Sequence, residues 1–184
     1  MSGHNKWSQI REKKGKTDAK KSQAFSKFAK LITNEARAAR STSSGQASVN
    51  RDAPALRAAI ERARKENMPS DNIERAVKKA TEAGGAALLP VLYEAYGPGG
   101  VALLIEVLTD SRNRVSNELK HVLAENDGNL ASPGAAAWAF EKTADGWKPT
   151  TTTPIADKDL AKLETLVEKL EAHDDVQEVF TNAE

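Results

Sequence analysis

The 184-residue sequence contains no cysteine and only three histidines, His4, His121 and His173, which are far apart. Disulfides, thiolate metal ligands and cysteine nucleophiles are therefore excluded, and the histidines have no metal-ligand spacing. No run reaches the roughly 18 to 20 apolar residues that span a bilayer, and no secretory signal follows the basic N-terminus. These absences predict a soluble, cytoplasmic protein with no cofactor, no metal and no membrane partner.

Recognisable catalytic patterns are also lacking. Asp174 and Asp175 precede a predicted strand and are typical of a turn, because nothing nearby indicates a shifted pKa. The segment Gly97–Gly100 has the glycine content of a phosphate-binding loop, but a strand follows it where such a loop requires a helix. It therefore predicts a tight turn with glycines at positive φ. We expect no enzymatic activity and no small-molecule substrate.

Charge is distributed unevenly, although the net charge is only +1. Residues 1–80 contain 19 lysines and arginines against 8 acidic residues, whereas residues 81–184 contain 8 against 18. A basic segment attracts a polyanion and an acidic segment repels it. The sequence therefore predicts that the N-terminal part binds nucleic acid through the phosphate backbone.

The predicted N-terminal domain covers residues 1–85 and consists of a flexible basic arm and three helices. Apolar residues at helical spacing indicate a first helix at 17–40, and capping and breaking residues indicate helices at 52–67 and 69–83. Lysines and Arg37 lie opposite the apolar stripe of the first helix, although a solvated helix face would look the same. The predicted nucleic-acid contacts of the arm and this helix are Lys6, Trp7, Arg11, Lys13, Lys14, Lys16, Lys20, Lys27 and Lys30.

Three candidate contacts have two possible roles each. The Trp7 ring either stacks on an unpaired base, a contact worth about 1–3 kcal/mol, or anchors the arm onto the helical domain. Arg112 and Arg114 are the only arginines in the acidic half. They either clamp a phosphate at the end of a strand or pair with the many nearby carboxylates. The sequence leaves both choices open.

Residues 86–184 predict an acidic domain of the ferredoxin-like (split βαβ) type, which makes the whole chain α+β. A hairpin is expected around the Gly97–Gly100 turn, and two helices are expected to cover one face of the sheet. The other face, or the sheet edge, would then be available to a partner. The predicted order is β-α-β-β-α-β after an extra leading strand at 91–96. The elements that follow this leading strand are strands at 101–108, 135–142 and 176–181, an extended stretch at 147–155, and helices at 111–125 and 157–172.

A series of short motifs is spread in order over nearly the whole chain. These motifs are Gly3–Trp7, Asn67–Pro69, Asp71–Ala76, Tyr96–Ala102, Asp110–Arg114, Gly128–Leu130 and Asp174–Val179. Together they resemble the YebC/PmpR family, which includes mitochondrial translational activators of cytochrome oxidase subunit synthesis.

The resemblance implies a helical N-terminal domain followed by α/β domains, in a cytoplasmic, non-enzymatic regulator of gene expression. Its partner is implied to be either ribosomal RNA, in a ribosome-associated translation factor acting at difficult stretches such as consecutive prolines, or DNA, in a transcriptional regulator. The absence of a recognition helix and of a dimer seam favours RNA and a monomer. The remaining alternative is a protein–protein adaptor that works through the acidic domain.

One departure from the family pattern concerns a third, small acidic α/β domain. The family usually inserts this domain between the strand that ends near Lys142 and the last helix. Here only a short loop, near residues 143–147, is found at that point. The chain therefore resembles a shortened member of the family.

Overall fold

The computed structural model describes residues 7, 18–41, 48–82, 88–143 and 146–184. The chain divides into two compact units, residues 15–88 and residues 1–14 together with 89–184. The predicted domain boundary between residues 85 and 86 lies outside the described residues. The first unit is helical and the second contains a four-stranded sheet with two helices, so the predicted α+β class is confirmed.

Three helices make up most of the helical unit: α1 (Asp18–Ala38), α2 (Pro54–Lys65) and α3 (Ser70–Lys79). A short antiparallel pair, β1 (Arg40–Ser41) and β2 (Ser48–Val49), follows α1. The three helices expected from the apolar spacing are thus present, with bounds close to those predicted. Apolar residues three or four positions apart face inward on each helix. The core residues of the three helices are Ile32, Ala36, Leu56, Ala59, Ala63, Ile73, Ala76 and Val77.

The end of α2 shows how local chemistry sets a helix boundary. Asn67 adopts the left-handed conformation, with φ of 61°. This reversal brings the backbone N–H of Met68 within 3.0 Å of the Ala63 carbonyl oxygen, which closes the helix end. The start of α2 differs from prediction, because Ala53 occupies the cap position and Asp52 makes no side-chain cap. Pro54 tolerates this start, since it has no N–H to satisfy.

The α/β unit contains a four-stranded antiparallel sheet and a separate two-stranded hairpin. The elements in chain order are β3 (Leu89–Tyr96), β4 (Ala102–Thr109), α4 (Arg112–Ala124), β5 (Asn129–Ala131), β6 (Phe140–Thr143), β7 (Gly146–Pro149), α5 (Asp157–Ala172) and β8 (Val176–Thr181). In the sheet the strands lie side by side in the order β5-β3-β4-β8, and the separate hairpin consists of β6 and β7.

The predicted hairpin and both helices of this unit are confirmed. The hairpin turns through Gly99 and Gly100, whose φ values of 74° and 75° favour glycine. The N–H of Gly97 donates to the Val101 carbonyl at 2.9 Å, and that of Gly100 donates to the Gly97 carbonyl at 3.0 Å. These amides serve the turn itself, so the segment does not form a phosphate-binding loop.

The strand predicted at 135–142 is wrong as a strand of the sheet. Residues 137–139 form a 3-10 turn, and only residues 140–143 are extended, in the separate hairpin. The strand of the sheet that follows α4 is instead β5, and β3 lies between the parallel strands β4 and β5, which completes the split βαβ arrangement. The leading strand of the sequence pattern is therefore a central strand of the sheet.

Both faces of the sheet carry an apolar cover. Leu103 and Ile105 of β4 belong to the main core, together with residues of α4 and α5. On the opposite face, Leu104 and Phe180 form a smaller core with Phe140 of the β6–β7 hairpin. The prediction that the second face is free is therefore wrong along this part of the sheet.

Candidate nucleic-acid interface

Most of the predicted contacts in the N-terminal arm cannot be placed. Five of the predicted contacts lie outside the described residues: Lys6, Arg11, Lys13, Lys14 and Lys16. Lys20 lies in helix α1, but its side chain is not described. The structure does describe Trp7, Lys27, Lys30, Arg112 and Arg114.

Trp7 is buried in the α/β unit. Its side chain is 9% exposed and belongs to the apolar core that lies between the sheet and helices α4 and α5. An indole ring removes a large apolar area from water, so this position stabilises the unit and is not open to a base. The anchoring role left open by the sequence therefore applies, but to the α/β unit instead of the helical unit.

The cationic ridge predicted on α1 is less exposed than expected. Lys27, Lys30 and Arg37 are each half-buried. Helices α2 and α3 carry exposed lysine and arginine side chains that are not among the predicted contacts. The spacing of Arg57 and Arg64, seven residues apart, would have placed both on one helix face. The exposed cations of α2 and α3 are Arg57, Arg64, Lys65, Arg75, Lys78 and Lys79.

The described part of the helical unit, residues 18–41 and 48–82, has 14 lysines and arginines against 8 acidic residues. It also contains a cleft of about 410 Å³ beside β2 and α3. The cleft is lined by Val49, Arg51, Glu74, Arg75, Val77, Lys78 and Thr81.

Arg51 and Glu74 form a two-pronged ion pair at this cleft. The two guanidinium nitrogens of Arg51 donate to the two carboxylate oxygens of Glu74, at 2.9 and 2.5 Å. The hydrogen bond from Arg51 lowers the pKa of the Glu74 carboxyl, so Glu74 is ionised at neutral pH. The pair neutralises itself, and Arg75 and Lys78 then give the cleft its positive character.

The Arg75 guanidinium is held along the start of α3. Its Nε donates to the Asp71 carbonyl oxygen at 3.3 Å, and one terminal nitrogen donates to the Asn72 side-chain oxygen. These contacts orient the planar group without adding a neutralising carboxylate. Val49 and Val77 supply an apolar lining beside it. The cleft can thus accept an anion beside its cations and a flat apolar group on its valines.

Arg114 lies at the start of α4 and contacts three carboxylates. Its terminal nitrogens lie 2.6 Å from Asp175, 2.9 Å from Asp110 and 3.1 Å from Glu118. The hydrogen bonds that this guanidinium donates to Asp110 and Asp175 raise its pKa further above the ordinary value. A phosphate at this point would meet a net negative cluster and would have to displace these partners.

Arg112 occupies the same helix start but makes a different contact. Its side chain is exposed, and its carbonyl oxygen accepts a hydrogen bond from the Tyr93 hydroxyl at 2.9 Å. Of the two roles that the sequence left open, Arg114 therefore has the pairing with carboxylates of the α/β unit.

Two further features bear on the kind of site present. Within the described ranges, no three histidine, aspartate or glutamate side chains are grouped so that they could hold a metal ion. No helix in the same ranges is sufficiently long and apolar to cross a bilayer.

Comparison with known families accounts for almost the whole chain. A model of the TACO1/YebC protein N-terminal domain matches residues 5–83. A model of the TACO1/YebC second and third domain matches in two segments, residues 88–145 and 142–183. These two segments meet between strands β6 and β7.

Individual relatives give the same picture. A probable transcriptional regulatory protein of Geobacter sulfurreducens is 47% identical over 143 residues, which cover 77% of this chain and 55% of that protein. Another, of Desulfosudis oleivorans, is 42% identical over 187 residues, which cover 100% of this chain and 72% of that protein. The crystal structure of a conserved hypothetical protein from Aquifex aeolicus is 30% identical, covers 97% and 96%, and has a TM-score of 0.76. This chain spans about half the length of the Geobacter protein.

Proposed function

Because the chain belongs to the TACO1/YebC family, as its motifs predicted, we propose that it is a cytoplasmic, non-enzymatic regulator of gene expression. It binds the phosphate backbone of nucleic acid through the helical unit. Relatives of 42–47% identity are named probable transcriptional regulatory proteins, which supports the regulatory role. The observation that carries the proposal is the set of exposed cations on α2 and α3.

Electrostatics favours the helical unit over the α/β unit as the binding surface. Each phosphate contact made by a lysine or arginine releases condensed counterions and so contributes affinity. The helical unit presents such side chains on two helices, whereas Arg114 in the α/β unit is already bound to Asp110, Glu118 and Asp175. The many further carboxylates of the α/β unit repel phosphates.

We favour RNA as the physiological partner, in a ribosome-associated translation factor. Reading of an operator in duplex DNA requires a recognition helix in the major groove and usually a symmetric dimer. Helix α3 has ten residues and ends in two lysines. Lysines contact the phosphates of a nucleic acid and carry little base specificity, so α3 does not have the character of a recognition helix. The names of the relatives favour the second candidate, a DNA-binding transcriptional regulator.

Neutralising exposed cations tests the proposal directly. Arg57→Gln, Arg64→Gln and Lys79→Gln in one protein remove three charges from α2 and α3. The slope of log K against log salt for single-stranded RNA should fall in magnitude by about 2, at about 0.7 per lost contact. A control with Lys120→Gln, Lys148→Gln and Lys158→Gln removes three exposed cations of the α/β unit. Equal slopes for the two variants would remove the basis of the proposal.

A second experiment separates the candidate partners. Sedimentation of the protein with ribosomes at moderate salt is compared with gel shifts on promoter DNA. Retention by ribosomes without a specific DNA shift supports the translation factor, and the reverse supports the transcriptional regulator. Capture of a protein partner that survives nuclease treatment, with neither of the other signals, would favour the adaptor.

A further inference from the structure

We propose that the cleft beside β2 and α3 binds one unpaired nucleotide of a single-stranded nucleic acid. The base lies on the valine lining beside the flat face of the Arg75 guanidinium, and its phosphate lies near Lys78. This inference rests on the proposed function and adds a specific subsite to it. It predicts that the protein binds single strands better than backbone charge alone would allow.

The dimensions and lining of the cleft fit a small ring. Its volume of about 410 Å³ lies within the range of small-ligand sites, about 300–1,000 Å³. Val49 is half-buried and Val77 is almost fully buried, so both are fixed by the core of the helical unit. Because Val77 has little exposed surface, a base that covers the lining removes apolar surface from water mainly at Val49. An inorganic phosphate alone would not use this lining.

The polar groups of the cleft match a nucleotide better than an acidic peptide. Arg75 and Lys78 offer positive charge to a phosphate, while the Arg51–Glu74 pair offers both donors and acceptor lone pairs. A base edge carries donors and acceptors and can bond to such a pair. The carboxylates of an acidic peptide have no donor hydrogen, so they could not use the acceptor oxygens of Glu74.

Arg75 supplies the geometric element of the site. Its guanidinium is held by the Asp71 carbonyl and the Asn72 side chain, so its flat face is oriented before any ligand arrives. Guanidinium planes stack on bases, and this contact does not depend on which base is present. The predicted subsite is therefore selective for an unpaired base but tolerant of sequence.

The test compares two strands that have the same number of phosphates. One is an oligouridine RNA, and the other is the same strand with every base removed. Fluorescence anisotropy at one salt concentration should show that the protein binds the strand with bases about 5- to 150-fold more tightly, as expected for one stacked base. Across a salt series both strands should give the same slope, because the phosphate contacts are unchanged.

Two variants assign the difference to the cleft. Thr81→Trp fills the cleft without changing charge, and Arg75→Lys keeps the charge but removes the planar group. Each should lose most of the preference for the strand with bases and keep the salt slope. Ala58→Trp, on the exposed face of α2, is the matched control and should behave as the unaltered protein. Circular dichroism establishes whether each variant is folded. If the Thr81→Trp variant does not fold, the Arg75→Lys variant alone decides the outcome.

The possible failures can be told apart. If neither strand binds, the proposed function is wrong. If both strands bind equally with a normal salt slope, the backbone is bound but the cleft holds no base, and only this inference is wrong. A preference that survives in both folded variants would also overturn it, because the base would then bind elsewhere.

Discussion

Replacing Glu94 by glutamine should destabilise the α/β unit more than its position on a strand suggests. The Glu94 side chain is only 8% exposed, on the face of β3 away from α4 and α5. Its carboxylate accepts hydrogen bonds from the backbone N–H groups of Gly134, Ala136 and Ala137, at 2.6, 2.7 and 2.7 Å. One side chain thereby fixes the turn that leads into the β6–β7 hairpin.

The size of the effect follows from these three bonds. A hydrogen bond to a charged group contributes about 1.5–3 kcal/mol, and a neutral one about 1 kcal/mol. In the Glu94→Gln variant the single oxygen can keep the bonds to Ala136 and Ala137 in weaker form. The new amide NH₂ then faces the N–H of Gly134, so the third hydrogen bond is lost. The expected loss is about 3 kcal/mol in the free energy of unfolding.

Tryptophan fluorescence gives a selective measurement of this loss. All three tryptophans, Trp7, Trp138 and Trp147, belong to the α/β unit, so urea unfolding followed by fluorescence reports on that unit. With a slope of about 2 kcal/mol per molar urea, the midpoint should fall by about 1.5 M. Glu141→Gln is the matched control, because Glu141 is exposed on β6 and should change the midpoint little.

The pH dependence provides an independent check. Burial raises the pKa of Glu94, but the three backbone hydrogen bonds outweigh it and hold the pKa below its ordinary value. The stabilisation is therefore fully present above the unfolded pKa of about 4.3 and is lost as the pH falls through the lower folded value. The difference in stability between the unaltered protein and the Glu94→Gln variant should shrink in that acidic range. A midpoint equal to that of the control at neutral pH, or a difference that persists at full size in acid, would refute the reasoning.

Two further predictions concern stability. Trp7→Ala should lower the free energy of unfolding of the α/β unit by about 3–5 kcal/mol, because it removes a core side chain. Trp138→Ala is the control, since that side chain is 62% exposed and its loss should change the free energy by about 0.5 kcal/mol. Equal effects of the two substitutions in urea unfolding would place Trp7 outside the core. Gly146→Ala should cost about 1–3 kcal/mol, because φ is 115° and the new Cβ would lie 2.9 Å from the Phe180 ring. Gly134→Ala, with φ of 86° and open space, measures the backbone part alone, and an equal loss in both would exclude the ring contact.

The helices were predictable because their signals are local. Apolar spacing and chain-breaking residues predicted 17–40 and 157–172, and the structure has Asp18–Ala38 and Asp157–Ala172. The last strand was predicted at the observed bounds, Val176–Thr181, for the same reason. Each of these elements shows its period within its own residues.

The segment around residues 135–142 was not predictable in this way. Its alanines are compatible with several conformations, and the deciding contact comes from Glu94, some forty residues earlier in the chain. A single glutamate in a β-prone run carries no sequence signal that it will capture three distant amides. The separation of β6 from the sheet thus depends on tertiary structure, which can override local propensity.

The sequence predicts which part of the chain is basic, but it does not predict which helix faces carry the exposed cations. Counting charges identified the basic part of the chain, and the predicted contacts were then assigned to the N-terminal arm and to the polar face of α1. Packing in the helical unit leaves Lys27 and Lys30 half-buried and exposes Arg75 and Lys78 on α3. The cleft itself is formed by β2 and α3, which are separated by loop and helix in the sequence.

The positions of Trp7 and Arg114 separate binding from stability in this protein. Both lie in motifs that identify the family, but Trp7 is in the core of the α/β unit and Arg114 is bound by its carboxylates. Substitutions there are therefore expected to act on folding first, and a loss of nucleic-acid binding would follow from unfolding. Substitutions of exposed cations on α2 and α3 remove charge without disturbing either core. Of these two groups of substitutions, the second tests the proposed nucleic-acid contact, because its effect on affinity is not mixed with an effect on the fold.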